Sequence, residues 1–192
     1  MDGVVGFVVA GGRSRRMRQD KALLPWGPAT LLDHAIERLQ RVSDEVRILC
    51  GAEPRYGDRG IPTVTDVIEN EGALGGVFSG LLDLDRPLGL FLAVDLPAVP
   101  VPLLEALLAA ATGWDAVVPR SPGGPEPLCA IYSRACVDPI RRRLRAGDAK
   151  MTSFWPDVRV REISPGDLAR FGDPASLFAN VNAESDYARL KP

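Results

Sequence analysis

Histidine is almost absent from this chain: His34 is the one example, and the three cysteines, Cys50, Cys129 and Cys136, form no C-x-x-C pair. A metal site built on imidazole and thiolate is therefore excluded. A solitary histidine inside a helical pattern is a packing or surface residue before it is a base. No apolar stretch approaches the length that spans a bilayer, and no basic leader precedes the first apolar run, so the expectation is a soluble, reduced, cytoplasmic protein with no membrane role. A net charge of −2 does not suit a protein that wraps nucleic acid. No internal repeat, low-complexity tract or linker divides the 192 residues, a length that suits one domain over 1–192.

Two named phosphate motifs are missing as well. Nothing after Gly12 restores the spacing of G-x-G-x-x-G or of G-x-x-x-x-G-K-[ST]. What stands there instead is a β-branched and aromatic run of strand length, Val4 to Val9, stopped by Ala10-Gly11-Gly12. Glycines let successive backbone N–H groups approach phosphate oxygens with no Cβ in the way. Arg13, Arg15, Arg16 and Lys21 add cations within ten residues, a local field suited to a small anion.

The remaining chain alternates strand, loop and helix. Leu32, Ala35, Ile36 and Leu39 fall at helical spacing, with Asp33, Glu37, Arg38 and Arg41 on the other faces. Val46 to Cys50 and Thr63 to Asp66 read as strands, and Glu71-Gly72-Ala73-Leu74-Gly75-Gly76 reads as a second glycine-rich loop leading into a helix through Val77, Leu81, Leu82 and Leu84. Leu90 to Val94 is a continuous apolar run, the mark of a central strand buried on both faces. Then come a helix from Leu103, a strand at 116–119, a loop over 121–127, a strand at 128–132 and an arginine-rich helix over 134–146. A short helix is expected over 149–155 and a further strand over 158–163. Phe178-Ala179-Asn180-Val181-Asn182 alternates like a half-buried strand before a last helix, which Asn182 would cap. Such alternation implies an α/β fold with parallel strands and helices on both faces.

Asp66 and Asp95 both end strands, and the carboxyl ends of strands are where open α/β sheets hold ligands. Asp95 cannot cap the next helix, because Pro102 marks that helix's first turn seven residues later. Two hard carboxylates, a phosphate-holding loop and a lysine suit Mg²⁺ and phosphoryl or nucleotidyl transfer. With no serine or cysteine nucleophile beside a base, direct attack on phosphorus is expected. A phosphate acceptor needs no general base, since its second pKa near 6 leaves it ionised.

The pattern A-G-G-x-x-x-R-M-x-x-D-K from Ala10 to Lys21 resembles the nucleotidyltransferase signature of the molybdenum cofactor guanylyltransferase family. Asp66 with Gly72 to Gly76, Val94-Asp95-Leu96-Pro97, Glu126 to Tyr132 and Phe178 to Asn182 resemble that family's later blocks, in its order. The resemblance implies a three-layer Rossmann-like sheet, mostly parallel, that joins GTP to the molybdopterin cofactor with release of pyrophosphate. It implies roles for Ala10, Gly11, Gly12 and Lys21 on the nucleotide phosphates, Arg16 with Lys21 and Asp95 in catalysis, Asp66 on the guanosine side, Asp95 on Mg²⁺, and Asn180 and Asn182 toward the pterin. It also implies passing contacts with cofactor-synthesis or client molybdoenzyme proteins.

Arg18 stands where the family usually has glycine, Ala73 where proline is common, and no asparagine follows Cys50 where one often lies near the guanine. A sister enzyme that transfers CMP to the same pterin shares this phosphate machinery. A sugar-phosphate nucleotidyltransferase generally needs more chain. A catalytically silent regulator of cofactor supply would have little use for Asp95.

Overall fold

Ten strands and six helices can be followed in a computed structural model that describes residues 3–11, 20–181 and 186–188. Gly12, Arg16 and Asn182 lie outside the described residues, as do Arg13, Arg15 and Arg18. The elements run β1 (Val4–Val9), β2 (Pro25–Trp26), β3 (Ala29–Thr30), α1 (Leu31–Gln40), β4 (Glu45–Gly51), β5 (Thr63–Thr65), α2 (Gly72–Asp83) and β6 (Leu88–Ala93). They continue with α3 (Val101–Ala109), β7 (Ala116–Ser121), β8 (Gly124–Pro125), β9 (Cys129–Ser133), α4 (Val137–Arg145), β10 (Val160–Ile163), α5 (Pro165–Leu168) and α6 (Pro174–Leu177).

The main sheet has the order β10-β7-β9-β6-β1-β4-β5, with β8 folded back on β7. β1 is buried at all six positions and pairs in parallel with β4 on one side and β6 on the other. From β1 the chain steps outward to β4 and β5, then returns across the sheet to β6, so β1 marks the point where the winding reverses. β9 runs antiparallel to both β6 and β7, which makes the sheet mixed but mostly parallel.

Successive side chains of a strand face opposite ways. Gly6 of β1 lies under Leu39 and Ser43 at the end of α1, while Phe7 stacks on Phe91 at 4.8 Å on the other face. Gly80 of α2 lies against Phe91 and Leu49, so α1 and α2 cover opposite faces. α4 packs beside α2, with Arg141 over the Phe78 ring, and Tyr132 meets Phe91 edge-on at 5.6 Å. α1 starts at a capping box in which Thr30 accepts from the Asp33 amide and Asp33 accepts from the Thr30 amide. α4 ends at Gly147, whose φ of 74° lets the amides of 147 and 148 satisfy Leu144 and Arg143.

Five local expectations are corrected. The glycine-rich stretch 72–76 is not a loop but the start of α2, where Gly72 to Gly76 already take helical hydrogen bonding. Phe178 to Val181 is not a strand: α6 ends at Leu177, and the following residues pair with no neighbouring strand. The stretch 121–127 is not wholly irregular, because Arg120 and Ser121 pair with Pro125 and Gly124 in a tight hairpin. The region 149–155 forms turns, and the short 3₁₀ helix falls at Trp155–Asp157, where Pro156 suits a first turn. Arg38, set off the apolar face of α1 by its spacing, is nevertheless buried, 6% exposed. No helix among the described residues is long and apolar enough to cross a membrane.

Candidate active site

The carboxyl ends of β1, β5 and β6 point the same way, because β1 is parallel to β6 and, through β4, to β5. Gly11, Asp66 and Asp95 therefore open on one edge of the sheet. The Ala10 amide donates to the Leu49 carbonyl at 3.0 Å, and the Val94 amide to that of Val9 at 3.2 Å, so the three strands stay together beyond their ladders.

Gly11 has a reason to be glycine that phosphate binding does not require. A Cβ there would lie 2.8 Å from the Gly51 nitrogen and 3.0 Å from its Cα, both backbone atoms that cannot swing aside. The same Gly51, with φ at 82°, accepts the Asp66 amide at 2.8 Å. The loop after β1 thus packs onto the turn that also holds Asp66. Burial raises the Asp66 pKa above the ordinary carboxylate value, as for a desolvated group. Its Oδ1 lies beside Gly76 of α2.

Lys21 begins a 3₁₀ turn capped by Asp20, whose Oδ1 accepts the Ala22 amide at 3.0 Å. The other Asp20 oxygen accepts the Tyr56 hydroxyl at 2.7 Å and Arg55 at 3.2 Å. Arg55 also donates to the Cys50 carbonyl, at 2.9 Å from its second terminal nitrogen, binding this turn to the end of β4. So held, Lys21 sends its ammonium to Asp95 Oδ2 at 2.7 Å, each side chain 20% exposed.

Asp95 is fixed from a third direction. The Val181 amide donates to the Asp95 carbonyl at 3.0 Å, which brings Asn180 to the edge of the same site. Val181 is buried with Leu24 and Leu31, and Trp26 and Tyr187 pack around them. Tyr187 donates to the Pro25 carbonyl. The segment carrying Asn180 and the turn carrying Lys21 therefore share one small apolar cluster.

Glu126 arrives from β9. The pairing of Leu92 with Cys129 continues as an Ala93 amide to Leu128 carbonyl bond of 2.8 Å, and a tight turn in which the Cys129 amide donates to the Glu126 carbonyl at 3.0 Å leaves Glu126 where it feels the Asp95 charge. Its pKa is raised mainly by burial and further by the Asp95 charge, while a hydrogen bond from Ser121 opposes the shift.

The structure thus joins Ala10, Gly11, Lys21, Asp66, Asp95 and Asn180 around one sheet edge, while Gly12, Arg16 and Asn182 fall outside the described residues. Sequence reasoning missed Arg55 and Tyr56, which lie in a turn-rich stretch with no periodicity to betray a partner. It quoted Glu126 within a larger block but assigned it no role. The only early signal was Asp20, already part of the signature.

This sheet edge thus carries a glycine turn at Gly11, an ammonium at Lys21 and carboxylates at Asp66 and Asp95. That combination suits transfer of a phosphorus group. The sequence profile described as the MobA-like NTP transferase domain matches residues 6–159. The chain is 35% identical over 97% of its length to a "Probable molybdenum cofactor guanylyltransferase" of Pelotomaculum thermopropionicum, covering 91% of that protein. It is 36% identical over 94% of its length to a protein of the same name from Chloroflexus aggregans, covering 90% of it. Its fold is similar to the crystal structure of molybdopterin-guanine dinucleotide biosynthesis protein A from Archaeoglobus fulgidus, with a TM-score of 0.82 at 22% identity, covering 98% of this chain and 96% of the other. The strand-end site and these matches lead to one conclusion: this nucleotidyltransferase belongs to the MobA-like NTP transferase family.

Proposed function

We propose that the chain is a molybdenum cofactor guanylyltransferase, transferring GMP from GTP to the phosphate of molybdopterin and releasing pyrophosphate. The observation that carries this reading is the meeting of Lys21 and Asp95 at 2.7 Å where strand ends converge, in a chain whose relatives bear that name. The pterin phosphate oxygen attacks the α-phosphorus of GTP, and the bond from that phosphorus to the bridging oxygen of pyrophosphate breaks. The acceptor needs no general base, since its second pKa near 6 leaves it ionised.

Gly11 and Gly12 offer backbone amides to the triphosphate, with Ala10, tied by its own amide to Leu49, anchoring the turn beneath it, and Lys21 with Arg16 offsets the charge that gathers on the leaving group. Asp66 faces the guanosine, and Asn180 and Asn182 hydrogen-bond the pterin. Among the described residues no three carboxylate, histidine or cysteine side chains form a ready metal cage. This donor set still fits Mg²⁺, which takes one or two carboxylates and completes its shell from water and substrate phosphates. Asp95 would hold the ion, which when bound supplies Lewis-acid neutralisation of phosphate charge. The chain acts as one domain in the cytoplasm, with transient contacts to cofactor-synthesis or client proteins.

The test is to mix purified protein with molybdopterin, Mg²⁺ and each nucleoside triphosphate in turn and to follow pyrophosphate. Release with GTP and not with CTP is expected. A preference for CTP overturns the guanylyl assignment, and no release with any triphosphate, given active acceptor, overturns catalysis.

A further inference from the structure

The segment after Asp95 lies outside the sheet ladder yet stays buried. Leu96 is 2% exposed and Val99 1%, so their carbonyls need donors that no strand supplies. One side chain meets that need. Arg38 Nη1 donates to the carbonyls of Leu96 at 3.0 Å, Pro97 at 3.3 Å and Val99 at 2.7 Å, while its Nε reaches the His34 carbonyl at 3.2 Å. His34, one turn earlier on α1, adds its Nε2 to the Pro97 carbonyl at 3.1 Å. Two side chains of one helix therefore grip the backbone that leaves the acidic residue.

This arrangement costs the protein something. Burial drives the Arg38 pKa down to about 10, and its Nη2 is buried with no hydrogen-bond partner. Those hydrogen bonds go to backbone carbonyls rather than to a carboxylate. A leucine or methionine would fill such a place in α1 with less desolvation. What an apolar residue cannot do is gather three carbonyls and so set the path of residues 95–99.

We propose that Arg38 is a positioning residue for nucleotidyl transfer: by clasping the carbonyls of Leu96, Pro97 and Val99 it holds the Asp95 carboxylate where the reacting phosphates and their cation meet Lys21. The proposal rests on the reading of Asp95 as a residue of the reacting site. Arg38 would act through the backbone carbonyls it binds. Catalytic groups must be held to within a fraction of an ångström, and the backbone path of residues 95–99 sets where the Asp95 carboxylate stands. The Val181 amide fixes the carbonyl of Asp95 from the acceptor side, and Arg38 fixes the next residues from beneath.

The experiment compares Arg38→Met and Arg38→Lys with the native protein. Each is assayed for fold by circular dichroism, for GTP affinity, for kcat and KM in transfer, and for Mn²⁺ affinity in the presence of nucleotide. Arg38→Met should keep GTP affinity within about twofold, lose about tenfold or more in kcat and bind Mn²⁺ several-fold more weakly, the pattern expected when a transition-state contact is misplaced. Arg38→Lys keeps the charge on a shorter reach without the planar fork, so it should recover part of both losses. A folded Arg38→Met protein with native kcat and native Mn²⁺ affinity overturns the proposal, as does loss confined to thermal stability. If Arg38→Met does not fold, Arg38→Lys decides: lowered kcat with weakened Mn²⁺ binding supports positioning, and native values for both refute it. Failure of the native protein to transfer GMP would instead refute the guanylyltransferase reading, while the Mn²⁺ comparison would still judge Arg38.

Discussion

Lys21 and Asp95 are 74 residues apart in sequence and 2.7 Å apart in space. With both side chains 20% exposed, the ammonium and carboxylate are solvated enough to exchange partners and sheltered enough to feel each other. Binding of a triphosphate would give the lysine a second anion. A cation at Asp95 would take over the lysine's role toward the carboxylate.

Asp95→Ala should therefore lower transfer by on the order of 10²-fold or more while the fold persists, because the side chain fills no core volume. Lys21→Ala should weaken triphosphate binding or slow transfer, and the native interaction should weaken with salt to the extent that the site is open. The double variant should be no worse than the product of the singles and, given their direct contact, less. Additive losses across that cycle, measured as kcat/KM, would show that the pair does not act as a unit.

Asn180→Ala should impair use of the acceptor more than of GTP. Asn180 sits next to the Val181 amide that binds the Asp95 carbonyl after β6, whereas Gly11 packs on Gly51 at the end of β4. A lost hydrogen bond to a polar pterin is worth roughly 1–3 kcal/mol if buried. Paired titrations with nucleotide and with molybdopterin check this, and a variant that loses GTP affinity while keeping acceptor affinity places the residue on the wrong side.

Gly11→Ala should destabilise the fold as well as slow transfer. The added Cβ must push into the Gly51 backbone at 2.8 Å, and overpacking of this kind costs roughly 1–3 kcal/mol. Because Gly51 also holds the Asp66 amide, the displacement should reach the guanosine side. Thermal unfolding and GTP affinity measured together test the link, which fails if the variant melts with the native protein.

His34 contributes a pH dependence of known sign. Burial, and secondarily the Arg38 charge, lower its pKa below 6.5. The folded state thus prefers neutral imidazole, and the unfolded chain binds the proton first as pH falls. This contribution to stability is full above pH 6.5 and declines as pH drops from there through the lower folded value. Urea unfolding at several pH values should show a shallower acid decline for His34→Gln than for the native chain. Identical declines would mean that the imidazole is not the group responsible.

The local character of each element was legible in the residues themselves. A buried parallel strand must be apolar on both faces, so Leu90 to Val94 revealed the central strand and Asp95 as its polar end, and Val4 to Val9 with Gly11 revealed the loop beside it. The A-G-G signature tied Ala10, Gly11, Asp20 and Lys21 to one chemistry because a phosphate-holding turn is a short stretch of chain. Tertiary structure alone decided which distant groups meet. Phe178 to Val181 alternates like a strand, but a strand needs a neighbour to take its hydrogen bonds, and Val181 donates to the Asp95 carbonyl instead. Spacing set Arg38 off the apolar face of its helix, and charge there ordinarily marks an exposed side. Its burial follows from carbonyls on the loop after Asp95 that needs donors, and that loop is some sixty residues away in the chain.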